Sequence, residues 1–448
     1  MGQGVLMGGD SATRQLGGSA DESRAALFLD AGLERRGATL FLGGVRLSDI
    51  ADRVGTPAYI YNAEVIRRQF RRLDQALAPV AHKICFAVKA NSNLAVLRLF
   101  RDLGAGADIV SGGEMRRALA AGFPATRIVF SGVGKSVEEL EAALTAGVGH
   151  IHLESADELA KLGAIAERLG KTVVVGIRVN PDVTAETHPY IATGQGGIKF
   201  GVPFDQVLEL ALAVHRHGRF RLESIAMHIG SQILDPTPYR EGVIKLVDLV
   251  RRIRGAGIDT LRNLDIGGGL GIRYRDETPL DPTRFVDAIL PVARETGLSI
   301  VLEPGRFLVG SAGVLLTTVL SRKHSGGKEL VLVDAGMNDL VRPSHYMAYH
   351  EMVELETHGR RAAQVDVVGP VCETGDFLAR DRLLPGLSAG ERLAVLGAGA
   401  YGFVMASSYN SRPRPAEVLV DGARWAVVRP RERVEDLYAG ETAEPEWR

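Results

Sequence analysis

The sequence predicts an α/β TIM barrel joined to a mostly antiparallel β domain. Three observations carry that prediction. Between Lys83 and Arg306 about eight short β-branched runs alternate with stretches of helical periodicity. After about residue 312 the runs become short or alternating and are separated by Gly, Pro and Asp turns. Polar, charged and glycine residues gather where the barrel runs end, the face on which this fold builds its sites.

In chain order, residues 1–26, beginning MGQGVLMGGD, read as a flexible Gly/Ser-rich tail without the pattern of a secretory leader. Residues 27–55 read as an N-terminal segment of the β domain, whose first strands are expected from GATLFLGGVRLSDIADRVGTPAYIYN, ahead of the barrel. The barrel is expected over 56–311. Its strands are KICFAVKAN, GADIVSG, RIVFSG, HIHLES, VVVGIRVNP, SIAMHIGSQ, NLDIGGG and SIVLEPGR. The segments between them, such as NLAVLRLFRDLG, SVEELEAALTAG and SADELAKLGAIAERLG, repeat apolar residues at steps of three and four, and SVEE and SADE read as capping boxes. Residues 312–448 supply the strands AGVLLTTVLSRKH, ELVLVDAG, AAQVDVVGP, RLAVLGAG, AEVLVDG and RWAVVRP, so the barrel is expected as an insertion into the β domain.

Composition narrows the function classes. A chain of 448 residues, 46% of them hydrophobic, can bury a large core. A net charge of -1 from 53 basic and 54 acidic residues gives no electrostatic footprint for nucleic acid or an anionic membrane. No apolar run reaches the roughly 18 residues of a membrane span. Cys85 and Cys372 are too few for a disulfide framework and set no zinc spacing, so a reducing, cytoplasmic setting is expected. His150, His152, His188, His345 and His350 share no metal-ligand spacing, and no metal is expected.

Four stretches carry chemistry. CFAVKAN puts Lys89 at the end of a buried strand, where desolvation lowers an amine's pKa and suits it to attack a carbonyl; a rim lysine with its ammonium in solvent is the alternative. LDIGGGLG offers Cβ-free backbone at Gly267, Gly268, Gly269 and Gly271 for a phosphate, or simply a tight strand-to-helix turn. LEPGR ends the last barrel strand with Glu303, either facing a ring nitrogen or paired with Arg306. VCETGD places Cys372 in a polar loop, although a lone cysteine is commonly a small core residue. A further match, G-x-G-x-x-G at Gly397, Gly399 and Gly402 with Glu417 about 20 residues on, fits a dinucleotide fingerprint only if a βαβ unit surrounds it, and the β-rich context argues against one.

Together, Lys89 in FAVKAN, Asp108, HIGSQ, DIGGGLG and EPGR resemble the fold-type III pyridoxal-phosphate decarboxylases, which are alanine racemase-like in fold. Within that group NPDVTAETHPYIATG, MNDLVRPSHYMAYHEM, VGPVCETGDFLARDR and GAYGFVMASSYNSRPRPAEVLVDG resemble the diaminopimelate decarboxylases, from about Gly37 to Pro430. The resemblance implies pyridoxal 5'-phosphate held covalently by Lys89, with Asp108 beside it, His228 stacked on the ring and Glu303 at its nitrogen. It implies a phosphate cradle of Ser231, Gly268, Gly269, Pro304, Gly305 and Arg306, assisted by Tyr401. Arg306, Arg342, Tyr346, Glu373 and Tyr401 are the implied substrate ligands and Cys372 the implied proton donor. Cys372 and Glu373 are expected to come from a second subunit, making a homodimer. The implied activity is a carboxy-lyase reaction on meso-2,6-diaminopimelate; decarboxylation of ornithine, arginine or carboxynorspermidine and a non-catalytic cofactor-binding role are the alternatives. Phe86 where tyrosine is commoner, and Thr374 where serine is usual, remove no group from this chemistry.

Overall fold

The computed structural model describes residues 22–184 and 198–447. Helical residues 22–31 are followed by a three-stranded antiparallel sheet of β1 (Leu33–Arg36), β2 (Thr39–Leu42) and β3 (Val45–Arg46). The expected flexible tail therefore stops short of residue 26, because Arg24 pairs with Glu351 at 2.8 Å and Leu27 and Ala31 are buried; residues 1–21 lie outside the described residues.

Strand β4 (Ala58–Asn62) comes next and is buried at every position. The sequence reading assigned residues from 56 onward to the barrel. That boundary falls too early: β4, the end of the GATLFLGGVRLSDIADRVGTPAYIYN stretch expected in the β domain, lies inside the β-domain sheet, antiparallel to β14 (Gly313–Ser325) and parallel to β20 (Ala416–Asp421). An apolar strand with both faces covered needs a neighbour on each edge, and only the central position of that sheet supplies both.

The barrel follows. Strands β5 (His82–Ala87), β6 (Gly106–Ile109), β7 (Ile128–Phe130), β8 (His150–Leu153), β9 (Val173–Asn180), β11 (Phe220–Met227), β12 (Asn263–Asp265) and β13 (Ser299–Leu302) pair in parallel, each with the next. Pairing of β13 with β5 closes the ring, and the short β10 (Val202–Pro203) rides on β9. All eight expected strands are present. The crossover helices start on polar caps: Asn93, Ser111, Ser136, Ser155 and Asp281 each accept a backbone N–H of the first turn. Ser136 and Glu139 form the full capping box. At Ser155 the box is half made, because the Glu158 carboxylate turns to the Glu154 N–H (2.9 Å) and the buried Lys135 ammonium (2.8 Å).

The second sheet runs β18 (Phe377–Pro385), β17 (Ala362–Val368), β15 (Lys328–Val333), β14, β4, β20, β21 (Arg424–Arg429), with β19 (Arg392–Val395) joining β14 to β16 (Met352–Glu354). It is mixed: β20–β4 and β15–β17 are parallel and the other pairs antiparallel. The β1–β3 sheet packs its Leu40, Leu42 and Val45 against Ile60, Val314, Leu316 and Val418 rather than extending this sheet.

The glycine motif after β19 opens no helix; only a 3₁₀ turn, Phe403–Met405, follows. A Cβ on Gly399 would lie 1.9 Å from the Val309 carbonyl oxygen, so this glycine serves the close approach of the β domain to the barrel's last turn. Gly399→Ala is therefore expected to destabilise the protein by at least about 2 kcal/mol in urea denaturation. Gly255→Ala, at a helical position with open space, should stay within about 0.5 kcal/mol or gain slightly.

Candidate active site

The barrel's strand ends converge on one mouth. Lys89 sits on the 3₁₀ turn Val88–Ala90 directly after β5, and Asp108 on β6. His228 and Ser231 follow β11, the triple glycine follows β12, and Glu303 to Arg306 follow β13.

Lys89 Nζ donates to Asp108 Oδ2 at 2.5 Å, with the carboxylate fully buried and a third of the lysine side chain still accessible. Burial by itself lowers the amine's pKa, as the sequence reading expected. Asp108, with Tyr401 and Glu303, outweighs it and raises the pKa above the ordinary lysine value. The second carboxylate oxygen of Asp108 has no hydrogen-bond partner.

Behind Asp108 lies a buried acidic floor. Glu303 is 9% exposed and accepts from Ser131 Oγ at 3.4 Å. Burial, then Asp108 and Asp265, push its carboxyl well above the usual range. Burial and Asp108 likewise push Asp265 up to about 7, despite the Gly267 N–H it accepts at 2.9 Å. His152 completes this cluster with a neutral ring, its pKa depressed by burial and by neighbouring cationic groups. Sequence spacing did not reveal the grouping, since the three residues come from three different strands and meet only when the barrel closes.

Beside the floor, glycines let the strand-end turns pack closely. A Cβ on Gly268 would fall 2.3 Å from the Glu303 carbonyl oxygen, and one on Gly305 would fall 2.8 Å from Ala90 Cβ. His228 accepts the Gly268 N–H through Nδ1 at 3.2 Å, and burial followed by Arg178 and Lys89 keeps its ring neutral. Arg306, 5% exposed, donates to Ser231 Oγ at 3.1 Å and Tyr274 Oη at 2.6 Å and lies 4.9 Å above the Tyr401 ring. It is not paired with Glu303.

Arg342, 6% exposed, begins the short helix Arg342–Tyr346. It is 4.6 Å above the Tyr274 ring and shares a 2.9 Å hydrogen bond with His350. Tyr346 ends the same helix and contributes to the electrostatics of both arginines. Among the described residues no carboxylate reaches ion-pair distance of Arg306 or Arg342. Cys372 and Glu373 stand apart: both are exposed, the Cys372 N–H donates to Asn410 Oδ1 at 2.7 Å, and Glu373 faces Tyr409. No hydrogen bond or ion pair among the described residues joins either to Lys89, Asp108, Glu303, Arg306 or Arg342. His188 and the NPDVTAETHPYIATG motif from residue 185 onward lie outside the described residues.

Comparison with known proteins identifies the family. Residues 63–310 match the pyridoxal-dependent decarboxylase, pyridoxal binding domain. A diaminopimelate decarboxylase of Pseudomonas aeruginosa is 48% identical over 411 residues, covering 92% of this chain and 99% of that protein. The chain belongs to the diaminopimelate decarboxylase family. The Helicobacter pylori diaminopimelate decarboxylase, solved with L-lysine, superimposes with a TM-score of 0.85 at 41% identity, covering 88% of this chain and 99% of that one. The M. jannaschii enzyme, also with L-lysine, gives 0.88 at 34% identity, over 92% and 98%.

For the cofactor that names the matched domain, this diaminopimelate decarboxylase chain offers a fitting set of groups. These are one amine at the mouth, strand-end turns that glycines let pack closely around it, a buried arginine with no carboxylate partner among the described residues, and a carboxyl whose pKa burial raises. The floor has a measurable signature. Asp265 is raised in the folded state above its unfolded value, so the stability it confers as an acid is complete below about pH 4 and is lost as pH rises toward about 7. Asp265→Asn keeps an acceptor for Gly267 and lacks that loss; the cofactor-free variant should gain on the wild type between those pH values, then level off, in urea denaturation at stepped pH.

Proposed function

We propose that this chain catalyses decarboxylation of meso-2,6-diaminopimelate to L-lysine and CO2, the last step of lysine biosynthesis, as a pyridoxal-phosphate-dependent carboxy-lyase. The observation that carries it is the union of a lysine-anchored mouth lined by closely packed glycine turns with two buried arginines that no carboxylate among the described residues neutralises. The first suits the cofactor and the second an anionic substrate. Pyridoxal phosphate, when bound, supplies a protonated ring that accepts the electrons freed as the carbon–carboxylate bond breaks.

In this reading Lys89 is the amine that holds the cofactor and later yields to the substrate amine. Asp108 orients it. The Glu303 carboxylate would face the ring nitrogen and keep it protonated, and His228 would lie against the ring. Ser231, Gly268, Gly269, Gly305 and Arg306, with Pro304 shaping the turn and the Tyr401 hydroxyl assisting, receive the phosphate. Arg306, Arg342, Tyr346 and Tyr401 grip the carboxylate that is retained, and Glu373 its ammonium. The Cys372 thiol gives its proton to the carbon that lost CO2, and the thiolate is reprotonated by solvent.

Cys372 and Glu373 are exposed and separate from their own chain's mouth, which supports a homodimer in which each subunit completes the other's site. Two unpaired cysteines suit the cytoplasm, and no described helix is long and apolar enough to cross a membrane. The pyridoxal-binding barrel spans residues 63–312 in this reading, between the β-domain strands β4 and β14. Ornithine, arginine and carboxynorspermidine all carry a cationic distal end, which two unneutralised arginines repel.

Release of CO2 from meso-diaminopimelate, and not from the LL or DD isomers, ornithine or arginine, is the expected outcome; comparable release from ornithine or arginine would refute the assignment. Lys89→Ala should lose the cofactor's absorption band and activity together. Mixing inactive Lys89→Ala with inactive Cys372→Ala should restore about a quarter of wild-type activity, because half of randomly exchanged dimers carry one intact site. No recovery after verified subunit exchange would contradict shared sites.

A further inference from the structure

His350 lies outside the groups that the family resemblance assigns, yet it is fully buried directly behind the mouth. Its Nδ1 is 2.8 Å from the Leu396 carbonyl oxygen, an acceptor only, so Nδ1 carries the hydrogen and donates. Nε2 is then a lone pair, and it accepts from Arg342 Nη1 at 2.9 Å. Burial and Arg342 keep the ring neutral, pushing its pKa down to about 3. The Tyr274 ring braces both, edge-on to His350 at 5.3 Å between centroids and beneath the Arg342 guanidinium.

This bond occupies one edge of the guanidinium and leaves the other. Among the described residues Arg342 has no other hydrogen-bond partner, and its Nε is buried without one. A carboxylate in place of His350 would fix the same geometry but would neutralise the charge. A neutral acceptor fixes the plane and leaves the charge for a ligand.

We propose that His350 is a positioning residue for substrate selection: by holding Arg342 through a neutral nitrogen, it fixes the guanidinium while leaving its charge unneutralised for the carboxylate that the substrate keeps. The proposal rests on the reading of Arg342 as a substrate ligand.

The two ring nitrogens allow a discriminating pair of variants. Gln at 350 places an amide oxygen near the Nε2 position, and Asn places its amide near Nδ1, keeping the Leu396 contact and losing Arg342. The test is inhibition of the pyridoxal-loaded enzyme by L-lysine, which bears the retained carboxylate, and by lysinamide, which lacks its charge. In His350→Asn the preference for lysine over lysinamide should fall about tenfold, the scale of one displaced charge-assisted contact. In His350→Gln it should return to within about threefold of wild type. The cofactor band should be the same in both. An unchanged preference in His350→Asn, or an equal loss in the two variants, overturns the proposal. If His350→Asn does not fold, His350→Phe, which fills the space without an acceptor, is read by the same criteria. Wild-type release of CO2 from meso-diaminopimelate is measured alongside. Its absence would bring down the functional reading, whereas its presence with unchanged preferences brings down only the role of His350.

Discussion

The candidate site depends on one constraint: the turn that carries Lys89 is clamped by a different domain. The Tyr401 N–H donates to the Ala90 carbonyl at 2.9 Å, and Asn91 Nδ2 donates to the Gly399 carbonyl at 3.1 Å. On the other side Gly305 lets the last barrel turn approach Ala90. A lysine on a strand-end turn has four rotatable side-chain bonds, and the scaffold's contribution is to fix the Cα from which they start. Both sides of that fixation use glycine-permitted backbone contacts. The non-glycine Tyr401 is itself held at φ +54°, a conformation that such residues adopt only where the surroundings over-determine it.

Around this fixed point the charges are sorted. Asp108, Asp265 and Glu303 act on one another in the floor, Arg306 and Arg342 share the Tyr274 ring, and Lys89 pairs with Asp108. Each half would be costly to bury alone. The acids can reduce the cost by taking up protons, the direction in which both Glu303 and Asp265 are shifted, an option that guanidinium groups do not have. The arginines are instead braced by neutral polarisable groups. Burial would raise the Tyr274 phenol, but Arg306 and Arg342 draw its pKa below the ordinary value. Free energy stored in unneutralised cations is returned when anions bind, so phosphate and carboxylate ligands should couple to stability as well as to catalysis.

Much of this was legible in the sequence because strand-end residues are local. The eight barrel strands and their mouth residues Lys89, Asp108, Ser231, Gly268 and Glu303 could be read one run at a time. What escaped was non-local. Asp265 and His152 look like ordinary strand residues until closure brings them to Glu303, and Tyr274 lies in a loop with no periodic signal. His350 was noticed only as a stray histidine. Strand β18, FLARDRLLP, was missed because its exposed charges interrupt the apolar pattern, and the barrel boundary was set ahead of β4 although its sequence had been read into the β domain, because strand propensity does not identify a partner.

The placement of β4 also explains how two domains can share one site without a hinge between them. The barrel leaves the β domain after Asn62 and returns at Gly313. These ends are adjacent in a single ladder, with Tyr61 opposite Gly313 and the Asn62 N–H bonded to the Ala312 carbonyl at 2.8 Å. Two crossings fixed in register resist relative rotation far better than one flexible linker would. Tyr61 adds a buried brace across the same sheet by donating to Glu417 at 2.8 Å. Tyr401 and Arg342 from one domain are therefore set against Lys89 and Arg306 from the other before any ligand arrives, and binding energy need not be spent on assembling them.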